Sequence, residues 1–415
     1  MESGTFERPS WLEAEFIEEA LHSREEYEGV SVVDSKVQLA AGKGDNYTSV
    51  IHRVTIQFKR KNNDETTERT SLIIKSLSSI EIMAKFLSDF KVFEKETAIY
   101  QVTIPAMFRL LRQHDERRQI HCLTPFCYKT SRPHTLILED LMTSGFKMAD
   151  RRARLDLAHC KMTVKNLARF HAMSLALYDE DPTSMDEYSE KVYNDTSREM
   201  MMNFITSAIN ALANVVERWP GFEKYGDKFR RLLPTIWDRM MEIVKPKPNS
   251  LSVLNHGDCW VNNLMFHYCP ATGTVDDVKF VDFQLSRYSS PALDLQYFVY
   301  TSPSEDIRSN YTELLLEEYH KELQDTLKIL HCEHHEFTID QLKEEFEEKS
   351  LFGLIAAATV LSAVVADPND VMDLENVKED GSNMDLKLVE KPLSGRRYKQ
   401  ALEKLIPHFE KKGLL

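Results

Sequence analysis

Asp258, Asn263 and Asp282 are the residues whose types and spacing point most directly to chemistry. The first two lie in His256-Gly257-Asp258-Cys259-Trp260-Val261-Asn262-Asn263 and the third in Val281-Asp282-Phe283. A carboxylate, an amide and a second carboxylate are what is needed to hold Mg²⁺ on a nucleotide and to orient an attacking hydroxyl, so the chemistry they could do is phosphoryl transfer. Mg²⁺ takes one or two protein carboxylates and fills its other positions with phosphate oxygens and water, which suits so sparse a set.

The segments between these residues must position them. Leu264 to Tyr268 and Val278 to Val281 are rich in strand-forming side chains, and Pro270-Ala271-Thr272-Gly273 carries turn chemistry. The pattern predicts an antiparallel hairpin with Asn263 roughly across from Asp282. Taken alone, such a hairpin also fits an ordinary surface feature with polar ends.

Further parts occur upstream. Gly42 and Gly44 lie in a turn ahead of an alternating run, Val50, His52, Val54, Ile56 and Phe58, and would let backbone N–H groups approach a polyphosphate. Lys59 to Arg69 is polar throughout and reads as a solvated loop. Ser71 to Lys75 is an apolar run closed by a cation, a candidate for nucleotide phosphates or a strand-end lysine reaching for water. From Ile80 to Val102 apolar residues recur at steps of three and four, predicting a long amphipathic helix that ends before Pro105. Glu94 and Glu96 flank its apolar stripe, and the helical wheel does not choose which would pair with Lys75. Thr135 to Leu141 is an apolar strand that turns acidic at Glu139 and Asp140. It reads as a plain edge strand or as a join between two lobes whose backbone, at Glu139, Asp140 and Leu141, meets adenine.

The combination of Gly44-Asp45-Asn46-Tyr47-Thr48-Ser49, Leu136 to Leu141, Leu167-Ala168-Arg169-Phe170-His171-Ala172, the His256 to Asn263 segment and Asp282-Phe283-Gln284 resembles the insect ecdysteroid kinase-like proteins. These are part of the wider group of choline and aminoglycoside kinase-like small-molecule kinases. The resemblance runs from about Asp34 to about Pro407. It implies an α+β, two-lobed protein-kinase-like fold: a small N-lobe with an antiparallel sheet and one long helix, and a larger, mainly helical C-lobe. The expected division is residues 1–138 for the nucleotide-binding lobe, 139–142 for the hinge, and 143–415 for the lobe with the catalytic loop, metal site and acceptor pocket.

Carried over residue by residue, the resemblance makes Lys75 the contact to the ATP phosphates and Glu96 its ion-pair partner. Gly42, Gly44, Asn46 and Ser49 join them at the nucleotide. Asp258 becomes the catalytic residue, and Asn263 and Asp282 the Mg²⁺ ligands. Asp294 falls where related kinases keep a structural carboxylate. The implied reaction is ATP-dependent phosphorylation of a hydroxyl on a small lipophilic molecule, an ecdysteroid or a related hydroxylated compound.

Two departures from the protein-kinase pattern matter. His-Gly-Asp replaces His-Arg-Asp, which removes the usual partner of an activation-loop phosphate, and Phe283-Gln284 replaces Phe-Gly, which removes a flexible glycine. No Ala-Pro-Glu segment follows. A protein acceptor is disfavoured for these reasons. A non-catalytic hormone carrier is disfavoured because it would not need both metal ligands and the acidic base.

The chain of 415 residues is long for one core, and its formal charge of −14 argues against nucleic acid or an anionic membrane as partner. Six scattered cysteines fit a reducing compartment, and the N-terminus lacks a signal-peptide pattern, so a cytoplasmic monomer is expected. Leu351 to Ala366 is too short and interrupted for a bilayer and reads as a buried helix. Ser10 and Glu13 resemble a capping box opening a first helix. His331, Cys332, His334 and His335 match no zinc spacing and read as a polar connection between helices. Asp367 to Lys391 reads as an exposed loop, and Arg396 begins a final helix.

Overall fold

The computed structural model describes residues 8–40, 49–61, 63–77, 91–114, 120–189, 198–247, 250–367, 370 and 386–415. Gly42, Gly44 and Asn46 lie outside them, as does the beginning of the helix expected from Ile80. The first sheet has five antiparallel strands in the order β1-β2-β3-β5-β4: β1 (Val30–Leu39), β2 (Ser49–Arg60), β3 (Asn63–Leu77), β4 (Cys127–Tyr128) and β5 (Thr135–Glu139). Val54, Ile56 and Phe58 of β2 and Leu72 and Ile74 of β3 point to one face, where Ile17 and Leu21 of helix α1 (Ala14–His22) cover them. Strand periodicity then turns Ile73 and Lys75 to the opposite face.

Three local expectations are corrected. The polar Lys59 to Arg69 stretch is not a loop but the far end of a long hairpin, because β2 and β3 stay in register from Ser49↔Leu77 to Phe58↔Glu68 and pair again at Arg60↔Asn63. A ladder satisfies its backbone whatever its side chains, and the polar ones face water or each other, as in the Arg60 to Glu68 bond of 2.7 Å. The first helix is entered at Glu13 without a side-chain cap, so Ser10 does not cap it. The helix predicted to stop before Pro105 passes through it.

That passage has a physical reason. Helix α2 (Val92–Ala98) widens into a π turn (Ile99–Thr103), in which Ile104 N–H bonds back to Ile99 O, and continues as α3 (Ile104–His114). The wider turn accommodates the missing proline N–H without ending the helix.

The remainder is mainly helical. Helix α4 (Leu157–Glu180) is its buried axis, and α9 (Glu305–Ile329) packs along it. Between α4 and α9 come α5 (Arg198–Val216), α6 (Lys224–Arg230), α7 (Leu233–Val244) and α8 (Ala292–Thr301). Helices α10 (Ile339–Glu348), α11 (Ser350–Thr359), α12 (Leu361–Val365), α13 (Leu386–Leu393) and α14 (Arg396–Lys411) follow. The apolar Leu351 to Ala366 run is thus two helices, and Leu386 to Lys391, expected in a loop, is helical. No helix among the described residues is long and apolar enough to cross a membrane. Two small sheets carry the residues singled out above. One is β6 (Lys147–Met148), β8 (Leu264–Tyr268) and β9 (Val275–Phe280); the other pairs β7 (Val253–Asn255) with β10 (Arg287–Ser289).

Candidate active site

Lys75 leaves β3 between Ile51 of β2 and Leu136 of β5. Its Nζ donates to Glu96 Oε2 at 2.7 Å and to Asp282 Oδ1 at 2.9 Å. Glu96 is 1% exposed and comes from α2, whereas Glu94 is exposed and nearest to His134, so the wheel's ambiguity resolves to Glu96. Burial disfavours the ammonium, but the Asp282 and Glu96 carboxylates outweigh it and hold Lys75 above the ordinary lysine pKa. Burial also raises Glu96, against the pull of Lys75.

Asp282 is held by its backbone. Leu264 pairs with Phe280, and Val281 N–H donates to Asn263 O at 3.0 Å, so Asp282 follows the residue tied to Asn263. Its φ of 68° ends the strand, a left-handed conformation that a short polar residue tolerates. Its N–H lies 3.3 Å from Tyr100 Oη, on the π turn. The hairpin expected from sequence therefore forms, with its second strand starting earlier, at Val275.

Asp258 sits in the loop after β7. Its Oδ2 accepts from Asn263 Nδ2 at 2.9 Å, and its Oδ1 accepts a short hydrogen bond from Tyr297 Oη. Burial, then the negative charge of Asp282, pushes its carboxyl up to about 6, although the bonds from Tyr297 and Asn263 pull the other way. Asn263 Nδ2 also donates to Asp258 O at 2.9 Å. With both amide protons committed, the Asn263 oxygen and Asp282 Oδ2 have no partner among the described residues and could take a ligand. These hard oxygen donors fit Mg²⁺.

The loop hangs from Asp294 on α8. That buried carboxylate accepts His256 N–H at 2.6 Å, Gly257 N–H at 2.9 Å and His171 Nε2 at 3.2 Å. Burial works against its ionisation, but the His171 bond and the surrounding donors hold its pKa below the usual carboxylate value. His256 Nε2 bonds Val281 O at 3.1 Å while its Nδ1 accepts Asp258 N–H at 3.2 Å. One neutral ring thus joins the two motifs, and burial keeps its pKa low. Gly257 has φ 84°, and a Cβ there would lie 2.0 Å from Leu285 O. The arginine missing from this position therefore has no room.

The join between the sheet and the helical region is partly self-satisfied. Glu139 N–H donates to Phe126 O at 2.8 Å, Asp140 N–H to Ser71 O at 3.4 Å, and Asp140 O accepts Thr143 N–H at 2.9 Å. Arg53 holds the Asp140 carboxylate at 2.7 Å. The N–H groups of Glu139 and Asp140 are thus both engaged within the protein. Among the described residues Leu141 N–H, at the head of a 3₁₀ turn, has no partner. Ser49 opens β2 opposite Leu77.

Tyr297 is not among the residues that the sequence motifs single out. It is i+3 from Asp294 on α8, so the two share a helix face, and that spacing was the available signal. His171 on Asp294 and Arg53 on Asp140 were likewise unassigned.

An antiparallel sheet, a helix supplying a glutamate to a strand lysine, and a mainly helical part carrying a loop and a hairpin make up an α+β, two-lobed protein-kinase-like fold; its class is the small-molecule kinases. The model of the ecdysteroid kinase-like family matches residues 43–332, more than half of the chain, and the protein belongs to that family. It is an enzyme, a phosphotransferase with an alcohol group as acceptor. Among solved structures, a Plasmodium vivax ethanolamine kinase is similar at 15% identity and TM-score 0.43, over 93% of this chain and 85% of that one. A choline kinase from Cryptosporidium parvum is 12% identical, with TM-score 0.47 over 97% of this chain and 98% of that one. A choline/ethanolamine kinase family protein from Mesorhizobium loti is 11% identical, with TM-score 0.35 over 92% and 95%. No curated protein matches the chain significantly.

Proposed function

We propose that this enzyme transfers the γ-phosphate of ATP to a hydroxyl of a small lipophilic molecule, an ecdysteroid or a related hydroxylated compound, using Mg²⁺. The observation that carries this reading is the joining of Lys75, Glu96 and Asp282, from three distant parts of the chain, beside an Asp258 already held by Asn263. In this reading Lys75 contacts the ATP phosphates and Glu96 keeps it in place. Asn263 and Asp282 would hold Mg²⁺, which neutralises charge building on the phosphates. Ser49 and the Gly42, Gly44 and Asn46 turn would cover the phosphates, and Leu141 N–H is the hinge donor left for adenine.

Asp258 orients the acceptor hydroxyl and takes its proton. The alcohol oxygen then forms a bond to phosphorus as the bond to the leaving ADP oxygen breaks, giving a phosphate ester. A carboxylate whose pKa lies near 6 is ionised at neutral pH yet more basic than an exposed one, which suits a proton acceptor. Residues 1–138 form the nucleotide lobe, 139–142 the hinge and 143–415 the acceptor lobe of this cytoplasmic, monomeric kinase.

Purified protein incubated with Mg-ATP and a panel of ecdysteroids, with mass spectrometry of the products, tests the acceptor class. A phosphate adduct on at least one ecdysteroid is expected. Turnover of simple polar amino alcohols alone would replace the lipophilic acceptor while leaving the reaction intact. No adduct, with ATP bound, would favour the carrier.

A further inference from the structure

A second cluster of donors lies outside the kinase machinery. Asp179 is near the C-terminal end of α4, eight residues and about 12 Å along the helix axis from His171. His334 and His335 come from the connection between α9 and α10. That connection is held in a defined shape. His331 takes a left-handed φ of 57°, Cys332 N–H returns to Leu327 O at 2.9 Å, and His335 N–H bonds Cys332 O at 3.2 Å. This helix-ending turn brings the histidine pair toward α4.

Three donor groups meet there. His335 Nε2 is 2.9 Å from both Asp179 oxygens, and His334 Nε2 is 3.1 Å from Oδ2. Their ligand atoms all lie within 4.8 Å of one another. Around a tetrahedral ion with bonds of about 2.0–2.1 Å, donor atoms stand roughly 3.4 Å apart, so small ring rotations would suffice to admit one. The two rings are only 4.4 Å apart, and both present Nε2 to one carboxylate. A buried thiol, Cys332, lies in the same connection and donates to Leu330 O at 3.3 Å.

We propose that Asp179, His334 and His335 form a binding site for a first-row divalent transition ion such as Zn²⁺, separate from the metal that accompanies the nucleotide. Two imidazoles and one carboxylate select Zn²⁺, Ni²⁺ or Cu²⁺ over Mg²⁺ and Ca²⁺, which prefer all-oxygen sets. Three protein ligands leave at least one position for water. Bound there, the ion would clip the α9–α10 connection to the end of α4. Linear spacing hides such a site because its carboxylate comes from a distant helix.

The test uses untagged, chelator-stripped full-length protein titrated with ZnCl₂ in a calorimeter, without nucleotide and with millimolar Mg²⁺ present. Saturable binding near one ion per chain is expected, with a melting temperature raised by several degrees. Asp179→Asn and the double variant His334→Ala/His335→Ala should each weaken Zn²⁺ at least about tenfold and abolish the melting shift. Both variants should melt like wild type in chelator, which shows that they are folded. No saturable Zn²⁺ binding by wild type, undiminished binding by the double variant, or displacement by Mg²⁺ would each overturn the proposal.

Discussion

The two halves of the site are built by different forces. Around Lys75 the organisation is ionic: one buried cation lies between two carboxylates, at 2.7 and 2.9 Å. Around Asp258 it is hydrogen-bonded: a phenol and an amide hold a carboxylate that burial and Asp282 push up to about 6. The first half is a charge relay between distant segments, suited to fixing a polyphosphate. The second keeps one group close enough to neutral pH to accept a proton. His256 and the Val281 to Asn263 bond are the mechanical link, so each half is placed relative to the other by the backbone.

The largest way to break the comparison is to break that link. Gly257→Ala would force a Cβ to within 2.0 Å of Leu285 O at a left-handed backbone position, so the loop must move. Activity should fall at least about a hundredfold, corresponding to roughly 3 kcal/mol of lost positioning, with ATP affinity changing much less. Steady-state kinetics beside nucleotide titration would show this, and a fully active Gly257→Ala would mean that the loop is not so constrained.

Next in size is the ionic half. Lys75→Met leaves the buried Glu96 without its partner and should cost about 3 kcal/mol in urea unfolding, whereas Lys75→Met/Glu96→Gln should recover much of that loss. Equal destabilisation in both variants would show that packing, and not charge, holds the triad.

The hydrogen-bonded half is read by pH. Asp258 is protonated below about 6 and cannot then accept a proton, so kcat/KM should rise through pH 6 and level off above 7. The stability effect has the opposite sign: a carboxyl raised from 3.8 to about 6 costs the metal-free fold stability as pH climbs through that window. Asp258→Asn should therefore be more stable than wild type at pH 8, by about 1–3 kcal/mol, with the difference gone near pH 4. A flat kcat/KM profile from pH 5 to 8 would remove Asp258 as the titrating base.

Tyr297→Phe should have the smallest effect and the sharpest meaning. It removes a bond that lowers the Asp258 pKa, so the kcat/KM midpoint should move upward by about half a unit to one unit. A structural role alone would lower activity without moving the midpoint.

Much of this was legible in the chain for identifiable reasons. β2 alternation, the apolar run to Lys75 and the turn between β8 and β9 are local signals, and local signals set strands and hairpins. The failures came where tertiary context overrides local pattern. Lys59 to Arg69 looked like a loop because polar side chains conceal a ladder whose bonds are all backbone. Pro105 looked like a helix end because a π turn leaves no mark in composition. The Glu94 or Glu96 ambiguity could not close on a wheel, since the deciding partner is Lys75 on a strand. Asp179 meets histidines more than a hundred positions away, and Tyr297 reaches Asp258 on a separate loop with only its i+3 step from Asp294 as a local hint.

The most direct test sets Asp258→Asn and Asp282→Asn side by side, measuring Mg-ATP affinity by calorimetry and phosphoryl transfer to an accepted alcohol in a single turnover. The two-part site predicts that Asp258→Asn binds Mg-ATP within a few-fold of wild type and loses roughly a thousandfold or more in transfer, while Asp282→Asn loses Mg²⁺-dependent affinity itself. Transfer by Asp258→Asn at the wild-type rate, or unchanged Mg-ATP affinity in Asp282→Asn, would contradict it.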